Sequence, residues 1–390
     1  MGNFNVNVNI DDLDGTKHVI VDAINSLVKD NEYISEIETN GPGLLFYKER
    51  GVRKSMPLPL KTQEQYNKAI DGLIEKAGLI KRNYLVEGRY TLPGGKFGRL
   101  HIVMPPATSY PLVTLAIKTQ TLNDLTSIQS LGSFNTEISL FLRAAVASKL
   151  TIVISGGTGA GKTTLLEALA SEIDINERVG VCEDTPELEL QGPNTPYLNS
   201  VVRVPGMDEK DVADLSWTVQ QINRMRVDRI IIGETRGKEF FDFVIAANSG
   251  KPGSLTTIHA NSGPAAMKKM STFMYMAVDM SPRIISEMIA EAVDVVIQLG
   301  HNEKTGAHKI ISIHEVTDAI SSGDSPTIAL NPLFIYDHDT DTWEKRYATD
   351  NLKRKLEKYG YDPNTYTIAE KKNEFEHHGR GLPSYLKKGD

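Results

Sequence analysis

A chain of 390 residues, 40% hydrophobic and 24% charged, is long enough for two or three domains and is not a disordered, collagen-like or low-complexity sequence. A net charge of −7 gives no basic excess of the kind a dedicated nucleic-acid binder carries, and one cysteine, Cys182, excludes an internal disulfide framework and a four-cysteine zinc site. No run of about 18 apolar residues occurs, and the start MGNFNVNVNIDDLDG lacks the basic and apolar regions of a signal peptide; a cytoplasmic chain is expected, with membrane contact only peripheral or through a partner.

Residues 1–16 alternate Asn with Val or Ile and read as a flexible arm. From 17 to 130 the pattern is that of a smaller α+β domain. Lys17 to Asp30 carries a helical stripe of Val19, Ile20, Ala23, Ile24, Leu27 and Val28. Ile34 to Ile37 and Leu44 to Tyr47 read as strands around the turn Asn40-Gly41-Pro42-Gly43. Gln63 to Ala77 reads as a helix stopped by Gly78, and Tyr84 to Tyr90, Arg99 to Met104 and Leu112 to Ile117 as further strands. Thr121 to Leu131 is the expected linker.

The pattern then changes. After a helix at Asn135 to Lys149, short apolar runs alternate with helical stretches: Thr151 to Ile154, Val179 to Cys182, Arg229 to Ile232 and Leu255 to Ile258 as strands, with Thr163 to Ala170, Val212 to Met225 and Phe240 to Ala247 as helices. Buried strands alternating with helices indicate a largely parallel sheet covered on both faces, an α/β domain at 131–320. Helices at Pro264 to Val278 and Pro282 to Ala292 and strands at Val293 to Leu299 and Lys309 to Val316 complete it. Met267, Met270, Met274, Met276 and Met280 fall in one helical region and suggest a compliant core or subunit contact. Residues 321–390, rich in charge from about Asp337, read as a partly helical, partly disordered extension.

The strand Thr151 to Ser155 runs directly into Gly156, Gly157, Thr158, Gly159, Ala160, Gly161, Lys162 and Thr163, which is G-x-x-x-x-G-K-T, followed by Thr164 and a helix. Glycines there let backbone N–H groups surround a β-phosphate, and the helix adds its positive end. Lys162 is placed to reach the β- and γ-phosphates of ATP, and the Thr163 hydroxyl to ligate Mg²⁺. A hydrolase also needs carboxylates. Glu234 ends the apolar strand Arg229-Ile-Ile-Ile-Gly233, with Gly233 where an Asp usually stands, so the ion would rest on Thr163, the phosphates and water. Glu183, Asp184 and Glu187 lie within five residues after another apolar strand; Glu183 and Glu187 are candidates to orient the attacking water. His259 ends the strand Ser254 to Ile258, at the edge where ligands bind in open α/β sheets.

These four elements in this order resemble the secretion ATPase superfamily of type II and type IV secretion and type IV pili, through ISGGTGAGKTTLL, EDTPELEL, MRVDRIIIGETRG and GSLTTIHANS. The similarity is to its VirB11 and CpaF branch, and it runs from about residue 17 to 320. The ending Gly233-Glu234 is that family's own pattern. The resemblance implies a RecA-like P-loop NTPase motor domain preceded by a PAS-like α+β domain, and a homohexamer with ATP between the domains. It implies Glu187 and Glu234 as catalytic carboxylates, with Glu183 beside them and His259 near the γ-phosphate. Arg203 and Arg236 resemble arginines that couple the site to domain motion or a neighbour. Arg99 resembles a first-domain arginine that reaches the γ-phosphate; Lys118 stands where a second is usual, keeping the charge without the bidentate fork. With one cysteine, the zinc module of type II and pilus-extension members is absent from the sequence.

The expected function is a hexameric ATPase powering type IV secretion, conjugative transfer or Tad-type pilus assembly, peripheral at the cytoplasmic face of the inner membrane. Its expected partners are itself and inner-membrane components of the machine, with no direct nucleic-acid binding. The competing readings are a pilus retraction ATPase, a RecA-like nucleic-acid translocase, and a nucleotide-gated scaffold that barely hydrolyses ATP.

Overall fold

The computed structural model describes residues 13–29, 31–81, 84–117, 124–190, 192–201, 212–320 and 327–369. The chain forms two compact units. The first contains the N-terminal elements together with Asp184–Glu187 and the described residues of Asn199–Ala213; the second contains the rest.

In the first unit, helices α1 (Val19–Lys29) and α2 (Gln63–Ala77) accompany strands β1 (Ile34–Thr39), β2 (Leu44–Glu49), β3 (Val52–Pro57), β4 (Leu85–Thr91), β5 (Phe97–Val103) and β6 (Leu112–Ile117). The strands form an antiparallel sheet in the order β3-β2-β1-β6-β5-β4. Ile20 and Ile24 of α1 and Tyr66, Ile70 and Leu73 of α2 share one core with Ile37, Leu45, Leu100 and Leu115 of the sheet. The helix at Gln63–Ala77 stands where the sequence places it because both ends are signalled. Thr62 accepts from the backbone of Gln65, whose own side chain accepts in return from the Thr62 backbone, and Gly78 closes the helix. Strand β3 has no expectation behind it. Its sequence VRKSMP lacks apolar alternation because it is a solvent-facing edge, with Arg53 and Lys54 of the kind that keep edges from pairing.

Residues 1–12 of the expected arm lie outside the described residues. Asp14–Thr16 is a short 3₁₀ turn, not an arm: Thr16 is buried and Asp14 pairs with Lys68 of α2 at 2.8 Å.

The second unit has a sheet of β7 (Ile152–Gly156), β8 (Val179–Glu183), β9 (Tyr197–Asn199), β10 (Arg229–Thr235), β11 (Leu255–Ile258), β12 (Val295–His301), β13 (His308–Ile320), β14 (Thr327–Asp337) and β15 (Thr342–Lys345). Their order is β15-β14-β13-β12-β7-β11-β10-β8-β9. From β12 to β8 the strands are parallel, and β12 to β15 are antiparallel to one another. Along β7, Ile152 and Ile154 enter one core and Val153 the other; along β10, Ile231 enters the first and Ile230 and Ile232 the second. A strand whose alternate residues both need burial must have helices on each face. On one face lie α3 (Leu125–Ser130), α4 (Thr136–Ala147), α5 (Lys162–Ala170) and α10 (Asp350–Lys358). On the other lie α6 (Leu215–Arg224), α7 (Glu239–Asn248), α8 (Gly263–Ala277) and α9 (Pro282–Ala292).

Two expectations change here. The linker at Thr121 to Leu131 contains α3, capped by Asp124 and buried through Leu125 and Ile128 in the second unit. Residues 327–369, expected as part of a charged extension from 321, are built into the second unit instead. Strands β14 and β15 continue the sheet, and Leu352, Leu356, Tyr361 and Tyr366 join the core with Phe141 and Phe334. Charge counts hide this because α10 is amphipathic: its few apolar residues all face one way. Met267, Met270 and Met274 are core residues, whereas Met276 and Met280 are exposed, so the core expectation holds for three of the five.

Candidate functional site

The site is built at the carboxyl ends of the parallel strands. Strand β7 ends at Gly156, a loop follows, and α5 begins at Lys162. Gly159 and Gly161 take φ of +74° and +88°, a conformation that lets successive N–H groups turn to one side and that L side chains rarely adopt. Thr158 and Gly159 form the exposed tip, Ala160 is buried, and Thr163 and Thr164 lie in the first turn of α5.

Lys162 is almost fully buried. Its ammonium donates to the carbonyls of Gly157 at 2.8 Å and Gly156 at 3.2 Å, and stands 3.3 Å from Nδ1 of His259 at the end of β11. An ammonium has only donors, so Nδ1 accepts and the proton of a neutral imidazole is on Nε2. That nitrogen faces Glu234 Oε1 at 2.7 Å. The other oxygen of Glu234 accepts from Arg236 at 2.6 Å. Lys162, His259, Glu234 and Arg236, drawn from three distant segments, thus form one line of alternating charge and dipole.

The supports explain how the line is held. Thr235 donates to the Thr257 carbonyl at 3.1 Å and Thr257 returns a bond to the Gly233 carbonyl at 2.8 Å, which locks the ends of β10 and β11 together. Lys269 on α8 donates to the His259 carbonyl at 2.7 Å. Glu239 at the start of α7 accepts from the backbones of Arg236 and Gly237. Sequence reasoning missed Lys269 and Glu239. Glu239 carried a signal, an acid at the start of a helix, whereas Lys269 bonds a backbone carbonyl and carried none.

Burial pushes the Lys162 ammonium below the ordinary lysine range; Glu234 opposes this and the charges of Arg236 and Lys269 add to it. Burial likewise pushes His259 down, against the pull of Glu234, and Lys162 adds to the fall. Glu234 moves the other way in spite of burial, because the Arg236 hydrogen bond and charge, then His259 and Lys162, favour its carboxylate. The resting arrangement at neutral pH is an ionised Glu234 beside a neutral His259.

Gly233 has a steric cause. A Cβ at that position would stand 3.1 Å from Glu183 Cγ and 3.2 Å from its Oε1. Glu183, at the buried end of β8, accepts from the backbone of Leu188 at 3.1 Å and fills the space that a side chain at 233 would need. Glu183 therefore flanks the same strand end as Glu234.

Glu187 and Arg99 are brought together elsewhere, within the first unit. Arg99 on β5 donates to Glu187 at 3.1 Å and to Glu87 of β4 at 3.0 Å. Thr185 also approaches Glu87, at 3.4 Å, and Ser200 donates to Asp184 at 2.8 Å. Glu87, which the sequence did not single out, is the carboxylate that organises this group. Burial opposes its ionisation, and the bonds and charge of Arg99 hold it below the usual range all the same. Lys118 and Arg203 lie outside the described residues.

Among the described residues, no group of three or more His, Cys, Asp or Glu side chains could hold a metal unaided. Mg²⁺, a hard cation that keeps several waters, fits the oxygen donors present: the Thr163 hydroxyl in the first turn of α5 and the carboxylates at the ends of β8 and β10. Among the described residues no helix is long and apolar enough to cross a membrane.

The family model for type II/IV secretion system proteins matches residues 95–317. The chain is 30% identical over 301 residues to the VirB11 protein of Rhizobium radiobacter, covering 69% of this chain and 85% of that one. It is also 30% identical over 223 residues to the conjugal transfer protein TrbB of the same organism, covering 56% of this chain and 64% of the relative, so it spans less than two thirds of that protein's length. In three dimensions it is similar to the Legionella pneumophila ATPase DotB, with a TM-score of 0.53 at 16% identity over 83% of this chain and 82% of DotB. That likeness gives the fold, a RecA-like α/β domain preceded by a smaller α+β domain. The glycine loop from Gly156 to Gly161 lies inside the matched segment, VirB11 is aligned over most of its length, and the chain is a VirB11-like member of the type II/IV secretion system protein family.

Proposed function

We propose that this chain is an ATP hydrolase that works as a homohexamer and powers type IV secretion or conjugative transfer. The observation that supports it most is the line Lys162–His259–Glu234–Arg236 beside the phosphate loop. The likeness to VirB11 and TrbB supports the kind of machine.

In this reading the loop from Gly156 to Gly161 cradles the phosphates with backbone N–H groups, helped by the positive end of α5. Lys162, already held over the loop by two carbonyls, exchanges them for phosphate oxygens. The ionised Glu234 takes the role of water-orienting base, because its carboxylate is charged, partly buried and aimed along the sheet edge. His259, neutral with its proton on Nε2, keeps Glu234 in place and reports on the γ-phosphate through Lys162. Arg236 neutralises Glu234 at rest and is available to the developing charge in the transition state. Mg²⁺, when bound, would neutralise phosphate charge, with Thr163 as its protein ligand and Glu183 or Glu234 reaching it through water. Glu187, Arg99, Lys118 and Arg203 complete the nucleotide-responsive set that the resemblance implies. The homohexamer, inner-membrane partners and a peripheral position at the cytoplasmic face belong to the same proposal.

ATP turnover of the purified chain tests it, beside Lys162→Ala and Glu234→Gln. Both variants should lose turnover while keeping their fold. Turnover in both variants equal to that of the parent would refute the assignment.

A further inference from the structure

The line that ends at Glu234 and His259 lies on one flank of β7, on β11 and β10. If the γ-phosphate points there, the rest of the nucleotide leads toward the other flank, which is β12. At the same end of the sheet, Leu299 of β12 is in register with Gly156. Two residues further on stands His301, and directly across the β12–β13 ladder from it is His308. Their rings face each other with centroids 4.5 Å apart and planes at 52°, and both are exposed. His308 borders the phosphate loop itself: its Nδ1 lies 3.7 Å from where a Cβ on Gly161 would be.

The turn between the two histidines is firmly built. Asn302 is buried, its side-chain oxygen accepts from the backbones of Lys304 and Thr305 at 2.9 Å each, and its amide donates to Tyr336 at 2.6 Å. The backbone of Asn302 closes the hairpin on Ala307 at 2.8 Å. A rigid pair of exposed aromatic rings at the mouth of a phosphate loop, on the flank away from the catalytic carboxylate, is a stacking platform in waiting.

We propose that His301 and His308 receive the nucleoside end of ATP, with the purine stacking on the His308 ring and His301 fixing that ring from the neighbouring strand. The proposal rests on the nucleotide site described above and adds the recognition of the base. It distinguishes two parts of one ligand: the phosphates belong to the loop and Lys162, the base to the hairpin.

Calorimetric titration of the full chain with Mg-ATP and, separately, with Mg-tripolyphosphate separates them. For His308→Ala the ATP dissociation constant should rise roughly tenfold, the scale of one lost aromatic stack, while tripolyphosphate binds as to the parent. His308→Phe should restore ATP binding, and His301→Ala should weaken it less than His308→Ala. Equal weakening for both ligands would make His308 a phosphate or loop contact and overturn the proposal, as would unchanged ATP binding in His308→Ala. A parent chain that binds neither ligand would instead refute the nucleotide site as a whole. Both rings are exposed, so far-ultraviolet circular dichroism of the variants should match the parent.

Discussion

Strand β10 carries an arginine–glutamate pair at each end, and the two pairs differ in nearly everything except their chemistry. At its foot, Arg229 grips Glu177 through two bonds of 2.9 and 3.0 Å, adds a bond to the Val146 carbonyl, and is 1% exposed. Lys149 joins at 3.0 Å. At its head, Arg236 holds Glu234 by one bond and is 53% exposed. In the buried pair neither partner can leave without stranding a charge out of water, so the pair anchors the strand. In the second pair Glu234 is partly buried but Arg236 is half exposed, so the arginine can leave into water at less cost than Arg229 can. Desolvation, not the identity of the residues, separates the scaffold from the site.

The sharpest way to break this comparison is to cut each pair once. Arg229→Ala should lower stability by about 3 kcal/mol, read from denaturant unfolding of the second unit, because buried Glu177 is left with Lys149 as its one cation partner among the described residues. Glu234→Gln should do the reverse, reducing ATP turnover at least ~100-fold while stability changes by under about 1 kcal/mol. If the two variants exchange these signatures, the division into anchor and site is wrong.

Acid sharpens it further. Burial opposes the ionisation of Glu177, yet Arg229 and Lys149 hold its pKa down at about 2. A depressed carboxylate contributes stability that is complete above its unfolded value and is lost as pH falls through the folded one. Unfolding midpoints measured from pH 5 downward should therefore decline toward pH 2, and an Arg229→Met, Glu177→Met double variant should show a shallower decline. Gly233→Asp should cost about 1–3 kcal/mol through overpacking against Glu183, with turnover reduced as Glu183 shifts. The smallest expected change is in Arg236→Ala, whose stability should stay within ~0.5 kcal/mol of the parent, with its effect confined to turnover.

Signals that are local in the chain are legible in the amino-acid sequence by itself. The capped helix ending at Gly78, the phosphate loop between β7 and α5, and the apolar parallel strands follow from periodicity and end chemistry that a few neighbouring residues carry. The line from Lys162 to Arg236 could be named residue by residue, but its geometry comes from sheet order, which joins segments about a hundred residues apart. Edge strand β3 and the docking of α10 into the core escaped because one is polar by position and the other is mostly charged on its outer face. Glu183 reads as a candidate acid in the sequence; that it also explains Gly233 follows only from the spacing of β8 and β10. Glu87 and Lys269 act through partners far away in sequence, which no local pattern encodes.

Helix α10 has a consequence for how copies of this protein are made. Its Lys355 pairs with Asp294, whose carboxylate also receives the Thr151 backbone N–H at 2.7 Å, at the very entry to β7. The strand that leads into the phosphate loop is thus pinned by a residue translated some two hundred positions later. A chain ending before α10 would leave Phe141 and Phe334 without Leu352, Leu356 and Tyr366 in their core, and Asp294 without its Lys355 partner. Such a fragment should be less stable and more open to proteolysis than the whole chain.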